Sequence, residues 1–203
     1  MPSATRTATL PTWWWELQHR RGTWARQLAA AHEGPRYQAL AAAIEEGGPG
    51  RSVLDLGCAQ GLLAAHLTSC SCLGVDISAA AVDAARLTMP DDGRGRFRFE
   101  VADVRSWTPP APADVIVFNE LLYYFTRPTT LVLRYLPWLA PGGSVWVSMY
   151  QPAWSRNPLM RVRIDAVWAS LGRQLTVRRR LVVRDGRARV RFRVAELQRP
   201  QTP

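Results

Sequence analysis

The sequence predicts a doubly wound α/β domain, with a mostly parallel sheet that ends in a C-terminal antiparallel hairpin. Three observations carry this expectation. Short apolar runs alternate with helical patterns from residue 51 onward. A glycine-rich turn, Gly57 to Gly61, follows the first of those runs, where a buried strand would hand over to a helix. Near the C-terminal end an Asp185-Gly186 pair stands between two β-rich runs, a strong hairpin signal.

Taken in order, residues 13–31 and 35–46 read as helices, the second with Pro35 in its first turn and Gly47-Gly48 past its end. A strand over 51–56 and a helix over 62–68 follow, then a strand over 72–77. Ser78 caps a helix that runs to Met89. Strands over 97–104 and 114–119 come next, then a helix over 128–139, closed by Pro141-Gly142-Gly143, and a strand over 144–149. A helix near 159–171 breaks the rhythm before the runs 175–184 and 187–197. In the last of these Arg187, Arg189, Arg191 and Arg193 alternate with Ala188, Val190, Phe192 and Val194. A period of two puts arginine on one face and apolar side chains on the other.

A chain of 203 residues with 47% hydrophobic content builds one core and leaves little for a second, so a single domain over 1–203 is expected. No stretch approaches the roughly 20 apolar residues of a membrane span. Residues 1–12 lack the apolar block and cleavage site of a secretory signal. Cys58, Cys70 and Cys72 read as reduced thiols of a cytoplasmic protein, spaced wrongly for zinc, and no metal site is expected. The net charge of +10 invites a nucleic-acid reading, but all 26 lysine-plus-arginine positions are arginine. Such uniformity reads as a compositional habit and not as a phosphate-binding patch.

The turn itself carries more. In Val53-Leu54-Asp55-Leu56-Gly57-Cys58-Ala59-Gln60-Gly61, glycine lets the backbone turn tightly and lets a ligand approach the main chain. Exposed N–H groups at the following helix start favour carboxylate or phosphate oxygens. Asp76 stands about 20 residues on, at the end of the next strand, where an acid binds ribose hydroxyls. Asp103 closes the third strand on the same carboxyl edge, which is where open α/β sheets bind ligands.

This ordered set resembles class I (Rossmann-like) S-adenosylmethionine (SAM)-dependent methyltransferases. Asp55-x-Gly57-x-Ala59-x-Gly61 is similar to their first motif, Asp76 to their ribose-binding acid and Asp103-Val104 to their adenine-contacting pair. Residues 114–120 resemble the fourth-strand motif, Pro141-Gly142-Gly143 the turn before the fifth strand, and the hairpin the end of a seven-stranded sheet. The phrase Asn119-Glu120-Leu121-Leu122-Tyr123-Tyr124-Phe125 further resembles a small-molecule subgroup similar to nodulation protein S-type N-methyltransferases. The resemblance implies SAM as cofactor and S-adenosylhomocysteine (SAH) as product. It implies a cofactor site of Asp55, Gly57, Cys58, Ala59, Gly61, Asp76, Ile77, Asp103, Val104 and Asn119. Residues 1–48 would be a helical cover, 49–150 the SAM-binding core and 151–203 a helix and hairpin. Ala59 replaces a glycine often found in the motif. A dinucleotide is the competing ligand for such a turn, but an acid at position 55 sits awkwardly beside a phosphate.

Methyl transfer is an in-line displacement at an already activated carbon, so the protein mainly positions the reactants. It must also present a deprotonated acceptor. Glu120, just past the fourth strand, is the foremost candidate base, with Tyr123 beside it. His19 is a third candidate because the N-terminal segment covers the cofactor in this family, although Gln18 and Arg20 flank it as they would an exposed helix residue. Trp13-Trp14-Trp15 with Trp24 reads as a lid, a stacking surface or plain packing; three consecutive tryptophans cannot share one helical face. Trp154 and Trp168 are further candidates for lining an acceptor pocket or for the core. The implied activity is methylation of nitrogen or oxygen of a small molecule in specialised metabolism. The alternatives are a nucleic-acid methyltransferase and a SAM-binding, non-methylating, cyclase-like protein. Against the former, Asn119 is followed by Glu-Leu-Leu where base methylases carry Pro-Pro-aromatic. A small-molecule acceptor is the expected partner, with no nucleic acid and no membrane. An acidic carrier protein is a candidate for the arginine face.

Overall fold

The computed structural model describes residues 10–28, 33–89, 95–152, 155, 157–185 and 190–198. Its frame is one seven-stranded sheet in the order β3-β2-β1-β4-β5-β7-β6. The strands are β1 (Ser52–Leu56), β2 (Ser71–Asp76), β3 (Phe97–Val101), β4 (Ala113–Asn119), β5 (Leu139–Tyr150), β6 (Thr176–Asp185) and β7 (Val190–Gln198). The first five pair in parallel, and β7 runs antiparallel to both β5 and β6. This is the predicted doubly wound sheet with its terminal hairpin. Among the described residues no helix is long and apolar enough to cross a membrane.

The period of two along the central strands sorts the core into two layers. Leu54, Leu56, Ile116, Phe118, Val145 and Val147 join the cluster under α5 (Pro128–Tyr135) and α6 (Pro158–Gln174). Val53, Val115, Val117 and Trp146 face the opposite way, toward α3 (Gly34–Glu45) and α4 (Ala79–Thr88). Asp55, between Leu54 and Leu56, therefore points toward α3 and is a buried acid in an apolar layer. Ser78 caps α4 as expected, accepting a hydrogen bond from the Ala81 amide at 3.2 Å.

Several element boundaries differ from the sequence reading. The helix expected over 62–68 shrinks to a 3-10 turn, Ala64–His66. The helix over 128–139 ends at Tyr135 and tightens to 3-10 over Leu136–Trp138, because Pro137 offers no N–H to continue the ladder. Pro141-Gly142-Gly143 does not precede β5 but lies inside it as an irregularity, where pairing with β4 jumps from Ala113/Leu139 to Val115/Ser144. Gly22 (φ +64°) divides the N-terminal helix into α1 (Thr12–Arg20) and α2 (Thr23–Leu28). β3 stops at Val101, which leaves Asp103 two residues past the strand.

The arginine alternation on β7 holds only in part. Phe192 and Val194 are buried toward α3, but on the arginine side Ala195 and Leu197 are buried beneath α6. Arg193 pairs there with Asp165 of α6. That face is therefore largely an internal contact and not a solvated stripe. Residues 186–189, with Arg187 and Arg189, and Trp154 lie outside the described residues. Trp168 is half-buried against the α6 side of the core.

The motif glycine Gly61 sits at φ +73°, and a Cβ there would lie 2.9 Å from the Phe99 ring and 3.2 Å from Ala85 Cβ. Gly61→Ala combines left-handed strain with overpacking, so it is expected to lower unfolding stability by about 1–3 kcal/mol. Urea unfolding checks this; an unchanged midpoint would contradict it.

Candidate cofactor and acceptor site

The carboxyl ends of β1, β2 and β4 open onto a cavity of about 420 Å³, within the usual size range for ligand pockets. At its floor the turn after β1 is set by backbone bonds. Gly57 and Cys58 N–H both donate to Val75 O, and Gly61 N–H donates to Cys58 O. Ala59 N–H donates to Asp76 Oδ2 at 2.9 Å. These four amides are thus engaged within the protein, and a 3-10 turn follows in place of the expected helix start. Ala59 itself is left-handed (φ 47°), as is Glu120 (φ 55°), and both line the cavity. Non-glycine residues in this conformation concentrate at functional sites.

Asp76 also accepts from Ser78 N–H at 3.0 Å. Burial raises its carboxyl above the ordinary range, while these amides and His19 pull the other way. Asp103 is gripped by Arg105, whose Nε lies 2.8 and 2.7 Å from the two oxygens, and it is held below the ordinary range despite partial burial. Asp55 is 2% exposed, and its Oδ1 has no hydrogen-bond partner. Burial and the nearby Asp76 push it up to about 7, against the attraction of Arg36.

At the other end Glu120 accepts from Tyr123 Oη at 2.7 Å through Oε2, while its Oε1 is buried and has no hydrogen-bond partner. Burial pushes Glu120 up to about 7, with Arg36, the Tyr123 hydroxyl and the Tyr150 amide opposing. Arg36 of α3 is fully buried. It donates through Nε to Glu33 Oε2 at 3.2 Å and through Nη1 to Asn119 Oδ1. Its guanidinium carbon lies 4.2 Å from the Tyr37 ring centre and 4.9 Å from that of Phe192. A buried charge of this kind persists because each of its nitrogens donates to a partner and two aromatic rings lie close to it.

The N-terminal helices roof the cavity. Glu16 of α1 accepts from Ser78 Oγ at 2.8 Å and from Ala80 N–H at 3.2 Å, placing a carboxylate on the start of α4. Trp15 stacks at 6.0 Å on Trp24 and meets Tyr124 edge-on at 4.7 Å. Trp13 is 65% exposed, so the triplet does divide between solvent and cavity.

A profile described as a methyltransferase domain matches residues 17–188. The chain belongs to the methyltransferase domain family. Among curated relatives, trans-aconitate 2-methyltransferase of Methylobacterium radiotolerans is 36% identical over 103 residues, 49% of this chain and 38% of that enzyme. The chain thus matches about two fifths of that relative's length. Among solved structures, the N-methyltransferase NodS of Bradyrhizobium japonicum WM9 with SAH superposes with TM-score 0.70 at 22% identity, covering 86% of this chain and 91% of that one. Magnesium protoporphyrin IX methyltransferase from Synechocystis PCC 6803, with bound SAH, gives TM-score 0.70 at 14% identity, covering 91% and 97%. These two show the shared fold.

Within this methyltransferase domain, Asp55, Gly57, Cys58, Ala59, Asp76, Ile77, Asp103, Val104, Asn119, Glu120, Tyr123 and His19 all line the cavity. Gly61 does not: it packs against Phe99 and shapes the turn from behind. His19, expected as an exposed helix residue, is half-buried over Asp76, and burial lowers its pKa against the pull of that acid. The Tyr123 hydroxyl donates to Glu120 and is raised well above the phenolic range by burial. The sequence reading missed Glu33, Arg36, Tyr150 and Phe192. Arg36 had a legible signal, since it begins an apolar stripe with Leu40, Ala43 and Ile44 on one helical face.

Asp55 and Glu120 set a pH signature. Both ionise less readily folded than unfolded, so between about pH 4 and about 7 the folded state binds more protons and stability falls as pH rises. Asp103 and Asp114, held low, contribute the opposite way, and their stabilisation is lost only as pH drops through their folded values. Ligand-free protein is therefore expected to melt higher at pH 5 than at pH 8, with Glu120→Gln flattening the difference. Thermal scans at the two pH values check this; a higher Tm at pH 8 would contradict it.

Proposed function

We propose that this chain is a SAM-dependent methyltransferase acting on a small molecule. The observation that carries the reading is the convergence of Asp55, Ala59, Asp76, Asp103 and Glu120 on one cavity at the carboxyl ends of the strands. The residues suit the cofactor. Asp55 Oδ1, buried and unpartnered, would take its ammonium group. Arg36, which lines the same cavity, would take its carboxylate. Asp76 would take the ribose hydroxyls, and Ile77, Asp103 and Val104 the adenine.

SAM supplies, when bound, a methyl group on a sulfonium that leaves as a neutral thioether. The protein's share is to hold the acceptor in line and remove its proton. Glu120 suits the second task because a carboxyl near pH 7 both accepts and releases a proton. The hydroxyl of Tyr123 fixes one oxygen, and the other has no hydrogen-bond partner. Trp15 and Trp24 cover the acceptor end and exclude water. Trans-aconitate and magnesium protoporphyrin IX, for which two of these similar proteins are named, are small molecules, which supports a small acceptor. Three free, buried cysteines agree with a reducing, cytoplasmic setting.

Incubation with SAM and a panel of small amines, phenols and carboxylic acids tests the reading. Mass spectrometry is expected to detect acceptor-dependent SAH. SAH at background with every acceptor, from protein that binds SAM, would favour a non-methylating role.

A further inference from the structure

β6 closes one edge of the sheet, and α6 leaves part of it uncovered. On α6, Leu159, Val162, Ala166 and Ala169 recur at intervals of three and four residues, so they lie along one helix face. All four are exposed, Leu159 at 82% and Val162 at 55%, while the core side of the helix buries Ile164, Val167 and Leu171. Ala169 brings this stripe to the lip of a groove of about 520 Å³ between α6 and the β6–β7 ribbon. Trp168 and Gly172 line the groove from the helix, and Val182, 52% exposed, lines it from the strand. The rim is basic. Arg180 lines the groove, and Arg184 shares its strand face two places past Val182, directly opposite Arg191 of β7. Arg173 continues the α6 stripe by one more turn. These four arginines are exposed, and among the described residues none of them makes an ion pair. Asp165, the acid that lines the groove, is already held by Arg161 and Arg193. Like charges directly opposite each other, as at Arg184 and Arg191, cost stability until an acid bridges them.

An apolar centre with a charged rim is the anatomy of a protein interface. A phosphate backbone would meet cations only at the edges and leave Leu159, Val162 and Val182 in water, so the apolar centre argues against nucleic acid. A second copy of this chain, with net charge +10, would bring one arginine rim against another. The small side chains of Ala166, Ala169 and Gly172 let a helix backbone come close to α6. We infer that this face docks a protein partner through an acidic amphipathic helix. The partner's apolar stripe rests on Val162, Ala169 and Val182, and its carboxylates reach Arg173, Arg180, Arg184 and Arg191. Arg191 adjoins Phe192, which lines the cavity, so the docking face begins one residue from the site.

Fluorescence anisotropy tests this with a labelled helical peptide that carries leucine along one face and glutamate on the others. The comparators are a scrambled peptide of the same composition, the same helix with lysine for glutamate, and an RNA duplex. The acidic amphipathic helix is expected to bind at least ~10-fold tighter than either other peptide, and tighter than the duplex. Val162→Asp with Val182→Asp, and separately Arg180→Glu with Arg184→Glu, should each weaken it at least ~10-fold. Arg98→Glu, on β3 at the opposite edge of the sheet, should change it less than ~2-fold. All five positions are exposed, and thermal melting confirms that each variant folds. No binding of the acidic helix, equal binding of the scrambled peptide, an unchanged affinity in either double variant, or an equal loss in Arg98→Glu overturns the inference. Tighter binding of the duplex overturns it in favour of nucleic acid. A dimer seen by sedimentation, and dissolved by the valine double variant, overturns it in favour of a second copy.

Discussion

Asp76→Ala is expected to weaken SAM binding by roughly 10- to 100-fold, the loss of about 1.5–3 kcal/mol carried by charge-assisted hydrogen bonds. Asp76 ends β2 at the cavity rim, and each of its oxygens already accepts a backbone amide, from Ala59 on one side and Ser78 on the other. It therefore has two tasks: it braces the glycine-rich turn and it presents the remaining lone pairs to a ribose. The variants separate these. Asn at this position keeps one carbonyl acceptor and the side-chain volume, so Asp76→Asn should retain more of the fold's stability than of its SAM affinity. Asp76→Ala removes both, so a stability loss of about 1–2 kcal/mol should accompany the affinity loss, as two amides lose their acceptor. Calorimetry and urea unfolding on both variants read the two effects. An unchanged Kd in Asp76→Ala would remove this residue from the cofactor site.

Arg36→Met carries the largest expected effect on stability, a loss of about 3–5 kcal/mol, the usual cost of deleting one partner of a buried ion pair. Arg36 is 0% exposed, joined to Glu33 and Asn119, and its charge opposes the upward shift of Glu120. Without it Glu33 and Glu120 lose the guanidinium that attracts both, and protonation at low pH relieves their mutual repulsion. The destabilisation should therefore be greater at pH 8 than at pH 5. Arg36→Lys keeps the charge but not the planar fork that spans Glu33 and Asn119. It should recover part of the stability and little of the affinity for SAM. Thermal unfolding of both variants at the two pH values tests this; a Met variant as stable as the parent would show that the charge is dispensable.

The sheet was legible because each parallel strand is a compact apolar run and each is bounded by turn chemistry. Val53 to Leu56 and Val115 to Phe118 declare themselves as strands buried on both faces. The hairpin followed from the same periodicity. What escaped was decided by atoms far apart in sequence. The tight chain after Gly61 is held by a contact with Phe99 rather than by local propensity, so a helix was expected where a 3-10 turn stands. Pro137 ends the α-helical ladder that the apolar pattern alone carries on to residue 139.

The site was legible in the same uneven way. The cavity rim is local to strand ends, so position alone put Asp76 and Asp103 there, and Asp55 came with the resemblance of its motif. Arg36 and Glu33 reach Asn119 and Glu120 across more than 80 residues, and no local pattern announces that meeting. The alternation at Arg191 and Arg193 was readable, but the pairing of Arg193 with Asp165 on α6 was not.

Isothermal calorimetry of the purified protein with SAM and with SAH tests the central claim most directly. Micromolar binding of both, at one site per chain and lost in Asp76→Ala, is the predicted result. Absence of binding by either ligand to a folded sample would contradict it, leaving the glycine-rich turn and its three acids as scaffolding for some other ligand.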